Sequence, residues 1–179
     1  SKSNLFALSS YFLRFDKKMM KRYVLSLGSN MGDRLSNLYE AKRHISEEIG
    51  EIKRQSSVYE TAAWGNENQS SFYNQLIEGY TSFTASKLME RLLNIETEMG
   101  RERLVKWSPR TIDLDIIFFG EEIIEEDQLS VPHPMFHLRK FTLVPLVEMM
   151  PDFIDPRSGK TMRKLLNELS DELEVIRLA

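Results

Sequence analysis

The sequence predicts an α+β fold: a ferredoxin-like βαββαβ core with an antiparallel sheet, an added hairpin and C-terminal helices. Three observations lead there. Short apolar runs and helical stripes follow one another in the order strand, helix, strand, strand, helix, strand. Gly50 and Gly100 stand where the helical stripes end. No internal repeat or low-complexity linker interrupts the chain, so 21–179 reads as a single domain and 1–20 as an N-terminal extension or remnant.

The elements follow in chain order. Tyr23–Leu27 is a short apolar run of a buried strand, ending at Gly28. The turn Gly28-Ser29-Asn30-Met31-Gly32 leads to Asp33, placed to cap a helix. Leu35, Leu38, Ala41, Ile45 and Ile49 give that helix an apolar stripe at a period near 3.6. Glu51–Tyr59 and Tyr73–Phe83 read as strands, with a polar loop between them. In the second helix Leu88, Leu92, Ile95 and Met99 share a face. Thr111–Phe119 is a strongly apolar strand, and Gly120–Gln128 looks like a hairpin returning through Ile123 and Ile124. Leu138–Met150 reads as mostly helix despite Pro145, and Thr161–Leu169 as a short terminal helix.

Composition narrows the function classes. A chain of 179 residues that is 41% hydrophobic and 28% charged is an ordinary globular protein with room for one core. A net charge of -3 argues against a general nucleic-acid binder, so an anion site has to come from local clustering of Arg and Lys. The absence of cysteine excludes disulfides and thiolate metal sites, which fits a reducing compartment. Leu5–Leu8 and Tyr11–Leu13 are too short to span a membrane, and the charges after them lie on the wrong side for a signal peptide.

The most informative segment is Trp107–Phe119. Alternation along a strand puts Ile112, Leu114, Ile116 and Phe118 on one face and Asp113 with Asp115 on the other. At a rise of ~3.3 Å per residue the two aspartates lie ~6.6 Å apart along the strand, close enough to converge on one hard cation or a pair. An Asp-x-Asp on a solvated edge strand would be unremarkable; Arg101, Arg103, Lys106 and Arg110 just upstream change that reading. Guanidinium forks suit phosphate oxygens, and magnesium typically combines one or two carboxylates with substrate phosphates. A second cluster, Thr61-Ala62-Ala63-Trp64-Gly65 with Phe72-Tyr73-Asn74, suits a flat heterocycle through stacking and amide hydrogen bonds, although core aromatics at a strand start are the commoner reading of such a pattern. His133 is fixed between Pro132 and Pro134, where it can donate to a phosphate or simply support the loop. Glu96 is readable either as a nucleotide contact or as a helix-edge ion pair.

Together these segments resemble the 6-hydroxymethyl-7,8-dihydropterin pyrophosphokinases of folate biosynthesis. The motifs that carry the resemblance are Leu27-Gly28-Ser29-Asn30, Tyr59-Glu60-Thr61, Phe72-Tyr73-Asn74, Gly100-Arg101-Glu102-Arg103, Pro109–Asp115 and Val131-Pro132-His133-Pro134, spread from about Tyr23 to about Leu169. The resemblance implies ATP and 6-hydroxymethyl-7,8-dihydropterin as substrates, with AMP released. It implies that Asp113 and Asp115 hold two Mg²⁺ ions, and that Arg101, Arg103 and Arg110 act with them on the phosphates. Glu96, Arg103, Trp107, Arg110, Ile116, Ser130, His133 and Arg139 fall at its ATP positions. Thr61, Ala63, Trp64, Phe72, Asn74, Trp107 and Phe141 fall at its pterin positions, Phe72 and Phe141 as the sandwiching rings. Ala62 and Ala63 stand where such proteins often have proline, as does Ser70, and Ser108 replaces a common glycine. The expected setting is a cytoplasmic monomer with no nucleic-acid or membrane partner. Two rival classes remain: a magnesium nucleotidyltransferase on the same kind of sheet, and a non-catalytic small-molecule-binding module.

Overall fold

A computed structural model describes residues 20–63, 68–100 and 111–178. Strand β1 (Lys21–Ser29) lies inside a six-stranded sheet, between β5 (Asp113–Phe119) and β4 (Phe72–Thr81). Beyond β4 come β3 (Tyr59–Thr61) and the outer strand β8 (Val175–Arg177), while β2 (Ile52–Gln55) also pairs with β4. Every pairing in this sheet is antiparallel. The order β5-β1-β4-β3 is that of the ferredoxin-like unit expected from the sequence, and β6 (Ile124–Glu126) with β7 (Leu129–Val131) forms the added hairpin.

Both faces of the sheet are covered, which explains why β1 is apolar nearly throughout. Helices α1 (Arg34–Glu48) and α2 (Ala85–Glu98) cover one face, packing Leu38, Ala41, Ile45, Leu88, Leu92 and Ile95 onto Tyr23, Leu25 and Leu27. Asp33 caps α1 by accepting the Ser36 N–H at 3.0 Å, as its position predicts. Leu35 departs from expectation: it is 54% exposed, because the stripe meets the sheet only from Leu38 onward. On the other face α3 (Lys140–Met149) and α4 (Met162–Glu168) pack Leu143, Leu146, Met149, Met162 and Leu165 onto Val24, Leu76 and Phe118. No described helix is long and apolar enough to cross a membrane.

Four elements differ from the sequence reading. The hairpin expected over Gly120–Gln128, returning at Ile123 and Ile124, instead pairs Ile124–Glu126 with Leu129–Val131, because Gly120 and Glu121 only turn the chain out of β5. The strand expected over Glu51–Tyr59 is split into β2 and β3. Ser56 explains the break: its Oγ accepts the Leu76 N–H at 2.9 Å, while the next residue turns its own N–H and hydroxyl to Glu148 on α3. The β8 strand was not foreseen, since three residues carry no readable period. In β5, Val24 pairs with Phe118 but Leu25 pairs with Ile116, so Ile117 is an extra residue in a bulge. Phe118 therefore does not share a face with Ile112, Leu114 and Ile116. It packs on the α3 side with Ile117, against Phe136 and Phe153 at ring distances of 5.0 and 4.8 Å.

Gly79 shows how tightly β4 is enclosed between β1 and β2. A Cβ there would sit 2.3 Å from the Tyr23 Oη and 2.4 Å from the Glu51 carbonyl oxygen. Burial pushes the Tyr23 phenol well above its usual range, so it stays a donor to the Gly50 carbonyl. Gly79→Ala is expected to destabilise the fold by about 1–3 kcal/mol through overpacking. Urea unfolding measures this, and an unchanged midpoint would show that the strands around Gly79 relax freely.

Candidate active site

The site arises where the covering of the α3/α4 face stops. On that face β1, β4 and the outer strand β5 each pass from an apolar residue under α3 and α4 to small or polar residues beyond it, Phe72 excepted. Along β1 the sequence of residues facing it is Val24, Ser26, Gly28; along β4 it is Leu76, Asn74, Phe72; along β5 it is Phe118, Asp115, Asp113. The register aligns these polar ends: Asp113 lies opposite Gly28, Gly28 opposite Asn74, and Asn74 opposite Tyr59. Asp115 lies opposite Ser26. With strands about 4.8 Å apart, Asp113 and Asn74 are about 10 Å apart across the glycine.

Gly28 is the open floor between them. A Cβ there would meet the Asn74 Oδ1 at 3.0 Å and the Phe72 ring at 3.7 Å. Read as the end of a strand, Gly28 gave no sign of a ligand role; the available signal was a glycine inside a strand, which often marks close approach of a ligand. Asn74 is 6% exposed and its Nδ2 donates to the Thr61 Oγ1 at 2.8 Å, with Thr61 3% exposed. The expected heterocycle positions Thr61, Asn74 and Phe72 are thus brought together, and Ala63 follows half-buried after β3.

His133 stands on the other side of the aspartates. Its backbone N–H donates to the carbonyl of the bulge residue Ile117 at 3.0 Å. Its Nδ1 accepts the Met135 N–H at 3.1 Å, so in the neutral ring the proton sits on Nε2, which lies 4.0 Å from the Asp115 Oδ2. Burial first, then the charge of Arg139, pulls the imidazole down to about 4, against Asp113, which acts to raise it. The ring is therefore neutral near pH 7 and can donate a hydrogen bond without adding charge. Arg139 itself lies 5.7 Å over the Phe141 ring at the start of α3.

Glu96 is buried rather than exposed at a helix edge. It is 1% exposed, and its Oε1 accepts the N–H of Leu114, the residue between the two aspartates, at 2.8 Å. Among the described residues β5 pairs only with β1, and this carboxylate satisfies an N–H that a second ladder would otherwise take. Two other expected contacts are placed differently from the aspartates. The Ile116 side chain is in the core, 2% exposed, so any ligand contact has to come from its backbone. The Ser130 hydroxyl donates to Glu125 at 3.0 Å and accepts from Arg157 at 3.2 Å, within the hairpin's ion pair. Trp64, Arg101, Arg103, Lys106, Trp107 and Arg110 lie outside the described residues.

One other group of described residues has metal-ligand chemistry. His44 and Glu48 on α1 meet Glu98 on α2, with His44 Nδ1 2.8 Å from Glu48. Arg91 already ion-pairs with Glu48 there, so the cluster reads as a bridge between the helices. The Glu96 arrangement makes a direct prediction. In Glu96→Ala the Leu114 amide should exchange about tenfold or more faster with solvent, as expected for loss of roughly 1–3 kcal/mol of buried hydrogen bonding. Glu96→Gln, which keeps an acceptor, should restore most of the protection; equal exchange in all three proteins would remove Glu96 from this role.

The chain is similar to known proteins over most of its length. A family model described as 7,8-dihydro-6-hydroxymethylpterin-pyrophosphokinase matches residues 24–151. A 2-amino-4-hydroxy-6-hydroxymethyldihydropteridine pyrophosphokinase of Synechocystis is 42% identical over 147 residues, 82% of this chain and 75% of that one. The protein of the same name from Aquifex aeolicus is 40% identical over 149 residues, 83% of this chain and 92% of that one. Among solved structures, Plasmodium falciparum HPPK-DHPS with pterin and p-hydroxybenzoate superposes with a TM-score of 0.66 over 83% of this chain. This chain spans 43% of that one, and at 19% identity the likeness carries the fold alone.

Proposed function

The chain belongs to the 7,8-dihydro-6-hydroxymethylpterin-pyrophosphokinase family, and from that premise we propose how its residues carry out the family's reaction. The activity is ATP-dependent transfer of pyrophosphate to hydroxymethyldihydropterin in folate biosynthesis. The observation that carries the residue assignment is the cross-strand row in which Asp113, Gly28 and Asn74 share one face.

In this reading the pterin lies over Gly28, hydrogen-bonded by Thr61 and Asn74 and stacked between Phe72 and Phe141. Its hydroxymethyl group then faces Asp113. The alcohol oxygen attacks the β-phosphorus of ATP in line, the bond from that phosphorus to the α–β bridging oxygen breaks, AMP leaves, and the alcohol proton passes to solvent or phosphate. Positioning and charge compensation supply most of the acceleration in such transfers.

Asp113 and Asp115 fit magnesium: they are hard oxygen donors on alternate residues of one strand, and Asp115 is 39% exposed toward the site. Two Mg²⁺ ions held there would offset the negative charge of the phosphates. His133 is suited to donate from Nε2 to a phosphate oxygen while remaining neutral. Arg139, and from the residues outside the described ones Arg101, Arg103 and Arg110, bind phosphate oxygens, while Trp107 closes over the two substrates. Glu96 serves ATP binding indirectly, by fixing the strand between the aspartates. Ser130 and Ile116 complete the ATP side, Ile116 through its backbone. The protein works as a cytoplasmic monomer on free small molecules, and the net charge of -3 supports the exclusion of nucleic acid.

Incubation with Mg-ATP and 6-hydroxymethyl-7,8-dihydropterin, followed by nucleotide separation, tests the reaction. AMP should form only when the pterin is present. ADP, or free pyrophosphate with a nucleotide adduct, would contradict the assignment. Asp115→Ala is expected to lose roughly 10³-fold in turnover, the several kcal/mol of charge stabilisation that a bound cation provides. Its circular dichroism spectrum should be unchanged, and near-normal turnover would sink the metal role.

A further inference from the structure

The start of α3 carries two residues assigned to the substrates, Arg139 and Phe141, yet the helix's own sequence holds that turn weakly. Among the described residues Arg139, its N-cap, makes no side-chain cap bond. Pro145 has no N–H to offer the Phe141 carbonyl four residues earlier, so one bond between the first and second turns is missing. The far end of the helix is anchored separately. There Glu148 accepts the Ser57 N–H at 3.0 Å and the Tyr59 hydroxyl at 2.6 Å.

The cap that α3 lacks comes from the segment after α4. Asp171 there accepts the Lys140 N–H on Oδ2 at 3.0 Å and the Leu173 N–H on Oδ1 at 2.9 Å. A carboxylate at this point also meets the positive end of the helix dipole. Four residues on, Val175 opens β8 and pairs with Thr61, and the Leu178 N–H donates to the Val58 carbonyl at 2.9 Å. The chain from Asp171 to Val175 can span at most ~14 Å. It is therefore a short strap between the turn that carries Phe141 and the strand that carries Thr61. In the reading above these are two walls of the pterin slot, one stacking on the ring and one hydrogen-bonding it. We propose that Asp171 is a positioning residue for the pterin: its bond to Lys140 ties the first turn of α3 to β8, and so sets where Phe141 stands relative to Thr61. The proposal rests on Phe141 being a stacking ring; Asp171 itself acts through that ring and not on the substrate.

Steady-state kinetics of the full chain with Mg-ATP and 6-hydroxymethyl-7,8-dihydropterin test it. Asp171→Ala should raise KM for the pterin about tenfold, the loss expected for one charge-assisted hydrogen bond, and leave kcat within about threefold. Asp171→Asn keeps an acceptor for the Lys140 N–H and should recover most of the loss. Lys140→Pro separates positioning from simple helix capping. Proline suits the first position of a helix but has no N–H, and Arg139 already has the extended dihedrals a following proline requires, φ -117° and ψ 108°. This variant keeps the helix and removes the strap's bond, so its unfolding midpoint should hold while its pterin KM rises as in Asp171→Ala. In a Phe141→Ala background, Asp171→Ala should add no further loss. Should Asp171→Ala not fold, Lys140→Pro decides alone. A Phe141→Ala enzyme with unchanged pterin KM would overturn the stacking reading and the proposal with it. A raised KM in Phe141→Ala, with native values in Asp171→Ala and Lys140→Pro or with fully additive losses in the double variant, would overturn the proposal alone.

Discussion

The placement of every chemical group on the active face depends on the register between β1 and its two neighbours. Side chains alternate across a sheet, so a slip of one residue would send Asp113 and Asp115 into the α1/α2 core and turn Leu114 outward. That slip is blocked by burial: Tyr23, Leu25 and Leu27 on β1, Ile112 just before β5, and Leu114 and Ile116 on it are all at most 2% exposed. Removing one such side chain from the core costs about 2–5 kcal/mol, a large share of a domain's total stability. The polar residues thus owe their positions to the apolar ones beside them.

The bulge at Ile117 adds the second constraint. An extra residue in β5 lets Ile117 and Phe118 both fill the α3/α4 core, while the strand beyond it still presents Asp113 and Asp115 on that face. The bulge residue's carbonyl is also the group that receives the His133 N–H, so one irregularity ties the β7–α3 connection to the carboxylates. Glu96 acts from the other side of β5, accepting the Leu114 N–H that no described strand meets. Packing, an irregular pairing and one buried carboxylate therefore hold the same short piece of chain from three directions.

Much of this was legible in the sequence, for identifiable reasons. The Asp-x-Asp alternation in an apolar strand, the Asp33 cap and the Leu88–Met99 stripe are local patterns with a fixed period, and local patterns survive without tertiary information. The motif order carried the family. The bulge was not legible, because Ile116–Phe119 is apolar on every side and alternation has nothing to register against. Leu35 fits the helical period yet lies beyond the sheet's reach, and Ser56 breaks a strand by offering a side-chain substitute for a ladder bond. Glu96 carries a charge that sequence reasoning places at a surface; only the fold shows that it faces an unpaired backbone donor.

What the account stands on is that Asp113 and Asp115 jointly receive a divalent ion on the face that also carries Gly28 and Asn74. Paramagnetic Mn²⁺, used in place of Mg²⁺ in an amide NMR experiment with a non-hydrolysable ATP analogue, locates that ion directly. The account predicts that Leu27, Gly28, Leu114 and Ile116 broaden first, while amides of α4 stay sharp. Broadening centred on His44, Glu48 and Glu98 between α1 and α2, with the β1–β5 amides untouched, would contradict it.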